Sequence, residues 1–385
     1  MIPRLITHKI RELAAKFPVI TITGPRQSGK STLLTNEFSS YDYTSLEDPD
    51  TRSFAMEDPR GFIAQFRNGA IIDEAQHVPK LFSYIQTVVD KEKKMGQFFL
   101  SGSQNFKLLS NINQSLAGRT SIFHLLPFAL NELPLVKAEE GYEKYIFKGF
   151  YPAIYDRDIN PVDYYANYIQ TYVERDLRDV IAVKDLSSFQ RFLKLCAGRI
   201  GQLLNFSSLA TDCGITQPTA KAWFSTLEAS YILMKIQPYY KNFSKRVIKS
   251  PKLYFHDVGL AAYLLGLRSA DQVFNHYLKG GLFENMIVSE LQKNLLNRGR
   301  KEELYFFRDS NGNEVDLILE NAANLTLLEM KSGQTINQDF FRGVDYFKSL
   351  NKESPVAYLI YGGNVAQKRS NVTVLPWHKI NEVSI

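Results

Sequence analysis

The feature that most constrains this chain is a glycine-containing loop between an apolar strand and a helix. Residues 19–23 (VITIT) are typical of a buried strand, residues 24–31 (GPRQSGKS) fit G-x-x-x-x-G-K-[ST], and a helical stretch follows. In such a loop, backbone N–H groups surround phosphate oxygens, and the dipole of the next helix favours negative charge. The sequence therefore predicts an ATP-binding loop, with Lys30 between the β- and γ-phosphates and Ser31 as a ligand of Mg²⁺.

Two further apolar strands end in polar residues. Asp73 and Glu74 follow residues 70–72 (AII), and Ser103 follows residues 97–100 (QFFL). Asp73 is expected to hold the Mg²⁺ shell, Glu74 to polarise the attacking water, and Ser103 to sense the γ-phosphate. The alternatives are an exposed acidic pair and a simple turn. The residues predicted to bind the nucleotide are Gly24, Pro25, Arg26, Gln27, Ser28, Gly29, Lys30, Ser31, Thr32, Asp73 and Ser103.

Two arginines each have two alternative roles. Arg119, in residues 115–120 (SLAGRT), is a candidate arginine finger that neutralises charge on the transferring phosphoryl group. Its alternative is a surface or ion-paired arginine. Arg26, inside the loop, either touches phosphate or faces solvent.

These motifs together resemble a known family. The segments are GPRQSGKSTLL (24–34), AIIDEAQ (70–76), FFLSGSQ (98–104) and SLAGRT (115–120), and they are similar to AAA-type ATPases that carry a C-terminal DUF4143-like region. The later segments YVERDL (172–177) and KLYFHDVG (252–259) are similar to that C-terminal region, so the resemblance covers essentially the whole chain. It implies ATP binding, an AAA-like core and homo-oligomers. Arg175 and Arg178 are the candidates for a second sensor arginine.

The middle of the chain has the spacing of a winged helix–turn–helix. Residues 206–215 predict a short helix and a glycine turn, and residues 216–228 predict a second helix capped by Thr216. Residues 231–238 and 252–255 are the expected wing strands, joined by a loop that interleaves basic and aromatic residues. If this module reads DNA, the residues facing the groove are Gln217, Thr219 and Lys221. The alternative is a module that only contacts protein or joins domains, because the second helix carries few basic residues.

Near the C-terminal end, acidic residues and a lysine fit D-x(12)-E-x-K. Asp316 lies on one predicted strand, and Glu329 and Lys331 share one face of the next. Glu284, on the preceding helix, is a fourth candidate. Oxygen ligands such as Asp316 and Glu329 suit Mg²⁺, which polarises a scissile phosphate and acidifies a water that Lys331 positions or deprotonates.

This pattern resembles the restriction-endonuclease-like, PD-(D/E)xK superfamily. The order Glu284, Asp316, Glu329-x-Lys331 is similar to archaeal-type Holliday-junction resolvases, over residues 280–365. The resemblance implies a nuclease domain. The alternatives are a charged hairpin with solvent-facing acids and a degenerate nuclease fold used only for binding.

Length and composition limit the remaining choices. With 385 residues the chain is longer than a single hydrophobic core usually supports, so more than one domain is expected. Its formal net charge of +6 permits a polyanionic partner without requiring one. Two cysteines exclude a disulfide framework and a structural zinc site. No run reaches the length of a membrane helix and no signal peptide is evident, so a cytoplasmic location without a membrane partner is expected.

The sequence predicts an α/β protein with four parts. These are a P-loop AAA-like ATPase core (1–135), a helical lid (136–185), a winged helix–turn–helix (186–268) and a restriction-endonuclease-like α/β domain (269–385). The expected function is an ATP-hydrolysing DNA-processing protein with a Mg²⁺-dependent nuclease, acting on DNA that includes branched forms such as Holliday junctions. The alternative is a nucleotide-switched regulatory ATPase that binds DNA or protein and has an inactive nuclease-like domain.

Overall fold

Two units, each built around its own β-sheet, make up the chain in this computed structural model. The first comprises Met1–Phe128 and Leu296–Arg300, and the second Ala129–Leu295 and Lys301–Ile385. The structure describes residues 2–103, 115–134, 136–173, 185–240, 247–321, 324–350, 355–369 and 371–384. Three positions singled out from the sequence, Gln104, Arg175 and Arg178, lie outside these ranges.

A parallel sheet organises the first unit. Its strands are β1 (Val19–Thr23), β2 (Asp42–Ser45), β3 (Ala70–Asp73), β4 (Phe98–Gly102) and β5 (Thr120–His124). They lie in the order β2-β3-β4-β1-β5, and neighbours are parallel. Because β1, β3 and β4 are buried along their whole length, most of their residues are apolar. The predicted mixed α/β architecture with a parallel sheet is confirmed.

The helices of the first unit connect these strands. Those that the structure describes are α1 (Thr7–Ala14), α2 (Lys30–Glu37), α3 (Pro49–Glu57), α4 (Pro59–Ala64) and α5 (Leu81–Glu92), with a 3-10 turn at Ala75–His77. Since all the strands run the same way, the carboxyl ends of β1, β3 and β4 meet at one edge of the sheet. The predicted phosphate loop and the residues after β3 and β4 therefore share that edge.

The second unit carries more helices than the first. Its described α-helices are α6 (Tyr142–Lys148), α7 (Pro152–Asp156), α8 (Pro161–Tyr168), α9 (Leu186–Ala197), α10 (Phe206–Cys213), α11 (Gln217–Ala229), α12 (Val258–Leu264), α13 (Ala270–Asn275), α14 (Lys279–Asn297) and α15 (Arg342–Leu350). A π-helical turn spans Ile169–Val173, and 3-10 turns span Leu130–Glu132, Ala138–Glu140, Gln338–Phe341 and Trp377–Glu382.

A mixed sheet joins the middle of the chain to its C-terminal part. The strands are β6 (Leu233–Pro238), β7 (Lys252–Phe255), β8 (Leu304–Arg308), β9 (Glu314–Asn321), β10 (Asn324–Lys331), β11 (Val356–Tyr361), β12 (Gln367–Arg369) and β13 (Val372–Pro376). Their order is β12-β13-β11-β10-β9-β8-β6-β7. β6 pairs with β7 and also with β8, so one sheet runs across the predicted boundary at residue 268. The four predicted parts and the three boundaries between them stay predictions.

The helix–turn–helix spacing corresponds to two packed helices, α10 and α11. Gly214 follows α10 in the left-handed region with φ of 73°, a conformation that favours glycine. Thr216 caps α11 by accepting from the Thr219 backbone N–H, and Trp223 is buried on its inner face. Gln217 and Lys221 are exposed, whereas Thr219 is half-buried. The predicted wing loop at 241–246 lies outside the described residues.

Hydropathy adds one limit to this architecture. Within the described ranges, no helix is both long enough and apolar enough to cross a membrane.

Phe99 of β4 is a test of the first unit's core. It is fully buried, and its ring centroid lies 4.0 Å from that of Phe38 and 5.0 Å from that of Tyr41. We expect Phe99→Ala to lower the free energy of unfolding of this unit by about 3–5 kcal/mol, because it leaves a cavity between the sheet and α2. Chemical denaturation measures the change. Met56→Ala, at a side chain that is 50% exposed, is the control and should change it little; equal stabilities of the two variants would contradict the assigned packing.

Candidate nucleotide and cation sites

The phosphate loop begins where β1 ends and leads directly into α2. Gly29, the N-cap of α2, has φ of 92°, and Gln27 has φ of 62°, so the loop curls through left-handed conformations. Lys30 is 5% exposed, and its Nζ donates to the carbonyl oxygens of Gly24 at 3.1 Å and Pro25 at 2.9 Å. Burial lowers the pKa of Lys30, an effect that the nearby carboxylates of Glu74 and Asp73 oppose.

Asp73, at the end of β3, is the centre of a hydroxyl cluster. Its Oδ2 accepts from Ser31 Oγ at 2.7 Å and from Tyr43 OH at 3.0 Å, and its Oδ1 accepts from Ser101 Oγ. Ser31 comes from α2, Tyr43 from β2 and Ser101 from β4. The sheet order therefore brings the predicted Mg²⁺ ligands Ser31 and Asp73 into direct contact.

Glu74 is held beside Asp73 in a left-handed conformation, with φ of 51°. Its Oε2 accepts from the backbone N–H of Ser103 at 3.3 Å, from Ser103 Oγ at 3.1 Å and from Gln76 Nε2. The structure thus brings together Glu74 and Ser103, two residues predicted from different strands. A polar carboxylate held this way can reach a water at the same edge of the sheet.

The loop also contains a buried serine hydroxyl, that of Ser28. Ser28 is fully buried, and its Oγ has no hydrogen-bond partner among the described residues. A buried hydroxyl without a hydrogen bond lowers the stability of the fold, so a phosphate oxygen that accepts from Ser28 Oγ would be favourable. Together with Lys30 and the Ser31–Asp73 pair, this hydroxyl fits ATP with Mg²⁺. Thr32 and Gln27 are exposed and Arg26 is half-buried.

Arg4 also belongs to this site, although the sequence analysis did not single it out. It is 9% exposed, and its guanidinium donates to the carbonyl oxygens of Ser28 at 2.9 Å and Leu126 at 2.7 Å. It also lies over the ring of Phe128, 4.8 Å from the centroid. Arg4 therefore ties the phosphate loop to the segment that follows β5. Its partners are 24 and 122 residues away, so no local pattern reveals this role.

Arg119 does not join the loop. It pairs with Asp90 of α5, with N–O distances of 2.5 and 2.9 Å. It precedes Thr120, which lies beside Val19 at the start of β1, whereas the phosphate loop follows the end of β1. The two are thus separated by about the length of a five-residue strand, roughly 15 Å. Within one chain, Arg119 and Lys30 lie at opposite edges of the sheet.

The second site lies on the sheet of the second unit, where β9 and β10 diverge. Lys331 Nζ contacts Glu329 Oε1 at 2.6 Å and Asp316 Oδ2 at 3.4 Å, so the predicted D…E-x-K residues converge. The same Asp316 oxygen accepts from the Met330 backbone N–H at 2.8 Å. The hydrogen-bonded pairing of β9 and β10 ends at Leu317 and Leu328. Beyond that pair, the Met330 backbone N–H donates to the side chain of Asp316.

Glu329 also carries a buried oxygen that has no hydrogen-bond partner among the described residues. Glu329 is 7% exposed, and its Oε2 accepts no hydrogen bond from the described residues. Burial and the charge of Asp316 raise the pKa of Glu329 to about 8, against the opposing effect of Lys331. A desolvated carboxylate whose oxygen accepts no hydrogen bond can receive a cation, so Asp316 and Glu329 can supply two ligands to a divalent metal ion.

Glu284, the fourth predicted residue, is held by other partners. Its Oε1 accepts from Lys252 Nζ at 2.8 Å and from Tyr254 OH at 2.5 Å. Lys252 is 2% exposed and also pairs with Glu314 of β9. Burial by itself lowers the pKa of Lys252, but the charges of Glu284, Asp316 and Glu314 raise it well above its ordinary value. In the part of the chain that the structure describes, no three His, Cys, Asp or Glu side chains are grouped closely enough to hold a metal ion.

Two signals in the sequence point to these missed contacts. Lys252 is a lysine at the start of the otherwise apolar strand KLYF, and a buried lysine needs acidic partners. Glu314 and Asp316 are two apart on β9 and therefore share a face.

Family models match three consecutive segments. Residues 16–134 match the AAA domain, residues 139–271 match a domain of unknown function (DUF8612), and residues 279–380 match a domain of unknown function (DUF4143). Uncharacterized proteins of Mycobacterium bovis and Mycobacterium tuberculosis are each 26% identical over 331 residues, covering 85% of this chain and 73% of theirs.

Solved structures show only a distant likeness. A Walker-type ATPase of Pyrococcus abyssi has 13% identity and a TM-score of 0.37, covering 67% of this chain and 94% of its own. AMPPCP-bound DnaA of Aquifex aeolicus has 14% identity and a TM-score of 0.30, and the match covers 58% of this chain and 86% of the DnaA chain. Such low scores support no conclusion. The AAA domain match over residues 16–134 and the geometry above together support an AAA-type P-loop domain in the N-terminal segment.

Proposed function

We propose that the chain binds and hydrolyses ATP with Mg²⁺ at the phosphate loop. The observation that carries this proposal is the Asp73 cluster, in which the predicted Mg²⁺ ligand Ser31 and the polar residues of β3 and β4 meet beside Lys30. Ser31 and Asp73 would hold the metal, which neutralises charge on the phosphates when it is bound. Glu74, fixed by Ser103, orients and polarises the water that attacks.

Two variants separate binding from hydrolysis at this site. We expect Lys30→Ala to weaken ATP binding by roughly 10-fold or more, because a charged phosphate contact is lost. We expect Glu74→Gln to keep ATP binding but to slow hydrolysis by roughly 100-fold or more. Calorimetry and phosphate release measure the two effects.

The matched control is Lys80→Ala, at an exposed lysine of the same unit. It should leave both quantities unchanged. ATP turnover that survives in Lys30→Ala and Glu74→Gln would contradict the assignment.

Arg4 gives a test of how the loop is held. Arg4→Gln removes the guanidinium that donates to the Ser28 and Leu126 carbonyl oxygens. We expect ATP affinity to fall by roughly 5- to 10-fold, because hydrogen bonds from charged groups are worth about 1.5–3 kcal/mol and the loop is less well fixed without them. Calorimetry with the full chain measures this. Arg11→Gln, at a side chain 63% exposed, is the control; equal losses in the two variants, or none in Arg4→Gln, would refute the role of Arg4.

We propose further that the C-terminal centre binds a divalent metal and cleaves phosphodiester bonds in DNA. Support comes from the convergence of Asp316, Glu329 and Lys331 and from the free Oε2 of Glu329. Asp316 and Glu329 would hold the ion, and the ion supplies charge that polarises a phosphate and acidifies water. Burial by itself lowers the pKa of Lys331, but the charges of Asp316 and Glu329 raise it above its ordinary value, so the ammonium stays protonated and positions that water. Helices α10 and α11 would present DNA to this centre, including branched DNA such as Holliday junctions, with Gln217, Thr219 and Lys221 at the surface.

Cutting assays test the nuclease. The full chain is incubated with Mg²⁺ or Mn²⁺ and with four-way junctions, duplex or single-stranded DNA. We expect metal-dependent cutting of at least one substrate and a loss of roughly 100-fold or more in Lys331→Ala. Lys368→Ala, at an exposed lysine of β12, is the control. No cutting of any substrate, or cutting that Lys331→Ala leaves intact, would exclude the nuclease.

One observation favours a second candidate, a nucleotide-switched regulatory ATPase with an inactive nuclease-like domain. Lys331 and Lys252 already pair with carboxylates of the C-terminal centre. In this candidate the ammonium groups replace a metal ion, and the second unit recognises DNA or protein. Failure to bind Mn²⁺ at Glu329, with ATP hydrolysis intact, would select it.

The surface position of Arg119 is compatible with a role between subunits. We propose that the chain forms homo-oligomers in which Arg119 leaves Asp90 and reaches the phosphates bound by a neighbouring copy.

A further inference from the structure

Four buried or half-buried carboxylates and two lysines form one electrostatic cluster in the second unit. The acids are Glu284 of α14, Glu314 and Asp316 of β9 and Glu329 of β10. Lys252 lies between Glu284 and Glu314, and Lys331 lies between Asp316 and Glu329. Asp316 connects the two halves, because its charge acts on both Glu284 and Glu329.

The position of Lys252 is built into the fold. Lys252 is the first residue of β7, its side chain is 3% exposed, and its Nζ lies 5.5 Å from the centroid of the Phe306 ring. Tyr254, two residues on and on the same face of β7, donates to the same Glu284 oxygen as Lys252. The ammonium is therefore enclosed by two carboxylates, a phenol and an aromatic ring, as a bound cation would be.

The cluster contains more carboxylates than cationic side chains. Four carboxylates face two ammonium groups, and Arg308, whose side chain is 40% exposed, lies 3.3 Å from Glu314. One carboxylate oxygen, Glu329 Oε2, also has no partner among the described residues. The cluster thus has more carboxylates than cationic side chains, and one of its buried oxygens can take a ligand.

We propose that the Lys252 ammonium occupies a cation position of the C-terminal centre and that a divalent metal ion and Lys252 compete for Glu284 and Glu314. The proposal rests on the proposed metal centre at Asp316 and Glu329. While Lys252 holds Glu284 and Glu314, the centre offers a metal ion only the Asp316–Glu329 side. Removing the ammonium frees two more carboxylates for the ion. Lys252 is thus a positioning residue, supplied by the hairpin that follows α11, that limits metal affinity.

The test is Mn²⁺ binding to Lys252→Met, a change that removes the charge and roughly keeps the volume. Calorimetry uses the full chain, stripped of metal and free of nucleotide, in a Ser31→Ala background that removes a predicted metal ligand of the phosphate loop. We expect Mn²⁺ affinity to rise roughly 10-fold or more, since an opposing charge is gone and two carboxylates become available. Adding Glu284→Gln to Lys252→Met should cancel most of that gain.

The same unit offers a matched control. Lys293 is also buried, at 1% side-chain exposure, and pairs with the fully buried Glu290 at 2.6 Å. Lys293→Met removes a buried lysine elsewhere and should not raise Mn²⁺ affinity. Lys252→Arg keeps the positive charge and should not raise it either.

Stability provides a second readout, because Lys252→Met leaves buried acids without a counter-ion. Its melting temperature in EDTA should fall, and Mn²⁺ should restore it by several degrees more than in the wild type. If Lys252→Met does not fold, Lys252→Gln is measured in the same way.

Three outcomes are distinguishable. A gain in Mn²⁺ affinity in Lys252→Met, absent from Lys293→Met and Lys252→Arg, supports the proposal. Equal affinity in wild type and Lys252→Met, with binding lost in Glu329→Gln, overturns it while the metal centre stands. No Mn²⁺ binding by the wild type, Lys252→Met or Lys252→Gln overturns both.

Discussion

The need to pair buried carboxylates shapes both sites of this protein. An ionised acid removed from water must find donors or a cation, and the two units meet that demand differently. Asp73 receives three hydroxyl groups, from Ser31, Tyr43 and Ser101. Glu284 instead receives the Lys252 ammonium and the Tyr254 hydroxyl. Hydroxyl donors leave a carboxylate its full negative charge, whereas an ammonium offsets it, so the first arrangement is more open to a metal ion.

The sheets determine which of these contacts form. In the first unit, β4 lies between β1 and β3, so Ser101 and Ser103 lie next to the acids Asp73 and Glu74 at the end of β3. In the second unit, β6 pairs with β8 and thereby fixes the hairpin carrying Lys252 to the sheet carrying Glu314. The segment matched to DUF8612 thus contributes a buried residue to the cluster in the segment matched to DUF4143.

Local patterns in the sequence predict much of this, and long-range pairing accounts for what they miss. The phosphate loop, the acids after β3 and the D…E-x-K strands are recognisable because each depends on residues within one strand–loop or strand unit. Arg4 and Tyr43 are not recognisable in that way, since their partners Ser28 and Asp73 become neighbours only through the packing of the sheet. Glu284 was expected beside Asp316, Glu329 and Lys331, but its direct contacts are with Lys252 and Tyr254. The sequence predicts that Arg119 is an arginine finger, but within one chain its guanidinium pairs with Asp90.

The central claim is that Asp73 and Glu329 each help to hold a divalent cation at a strand end. Anomalous diffraction from crystals grown with Mn²⁺ and a non-hydrolysable ATP analogue tests it most directly. We expect one manganese peak at about 2.0–2.3 Å from Ser31 Oγ, with Asp73 in its shell, and a second between Asp316 and Glu329. Nucleotide in the loop with no manganese beside Ser31, or a C-terminal centre without manganese at saturating concentration, would contradict it.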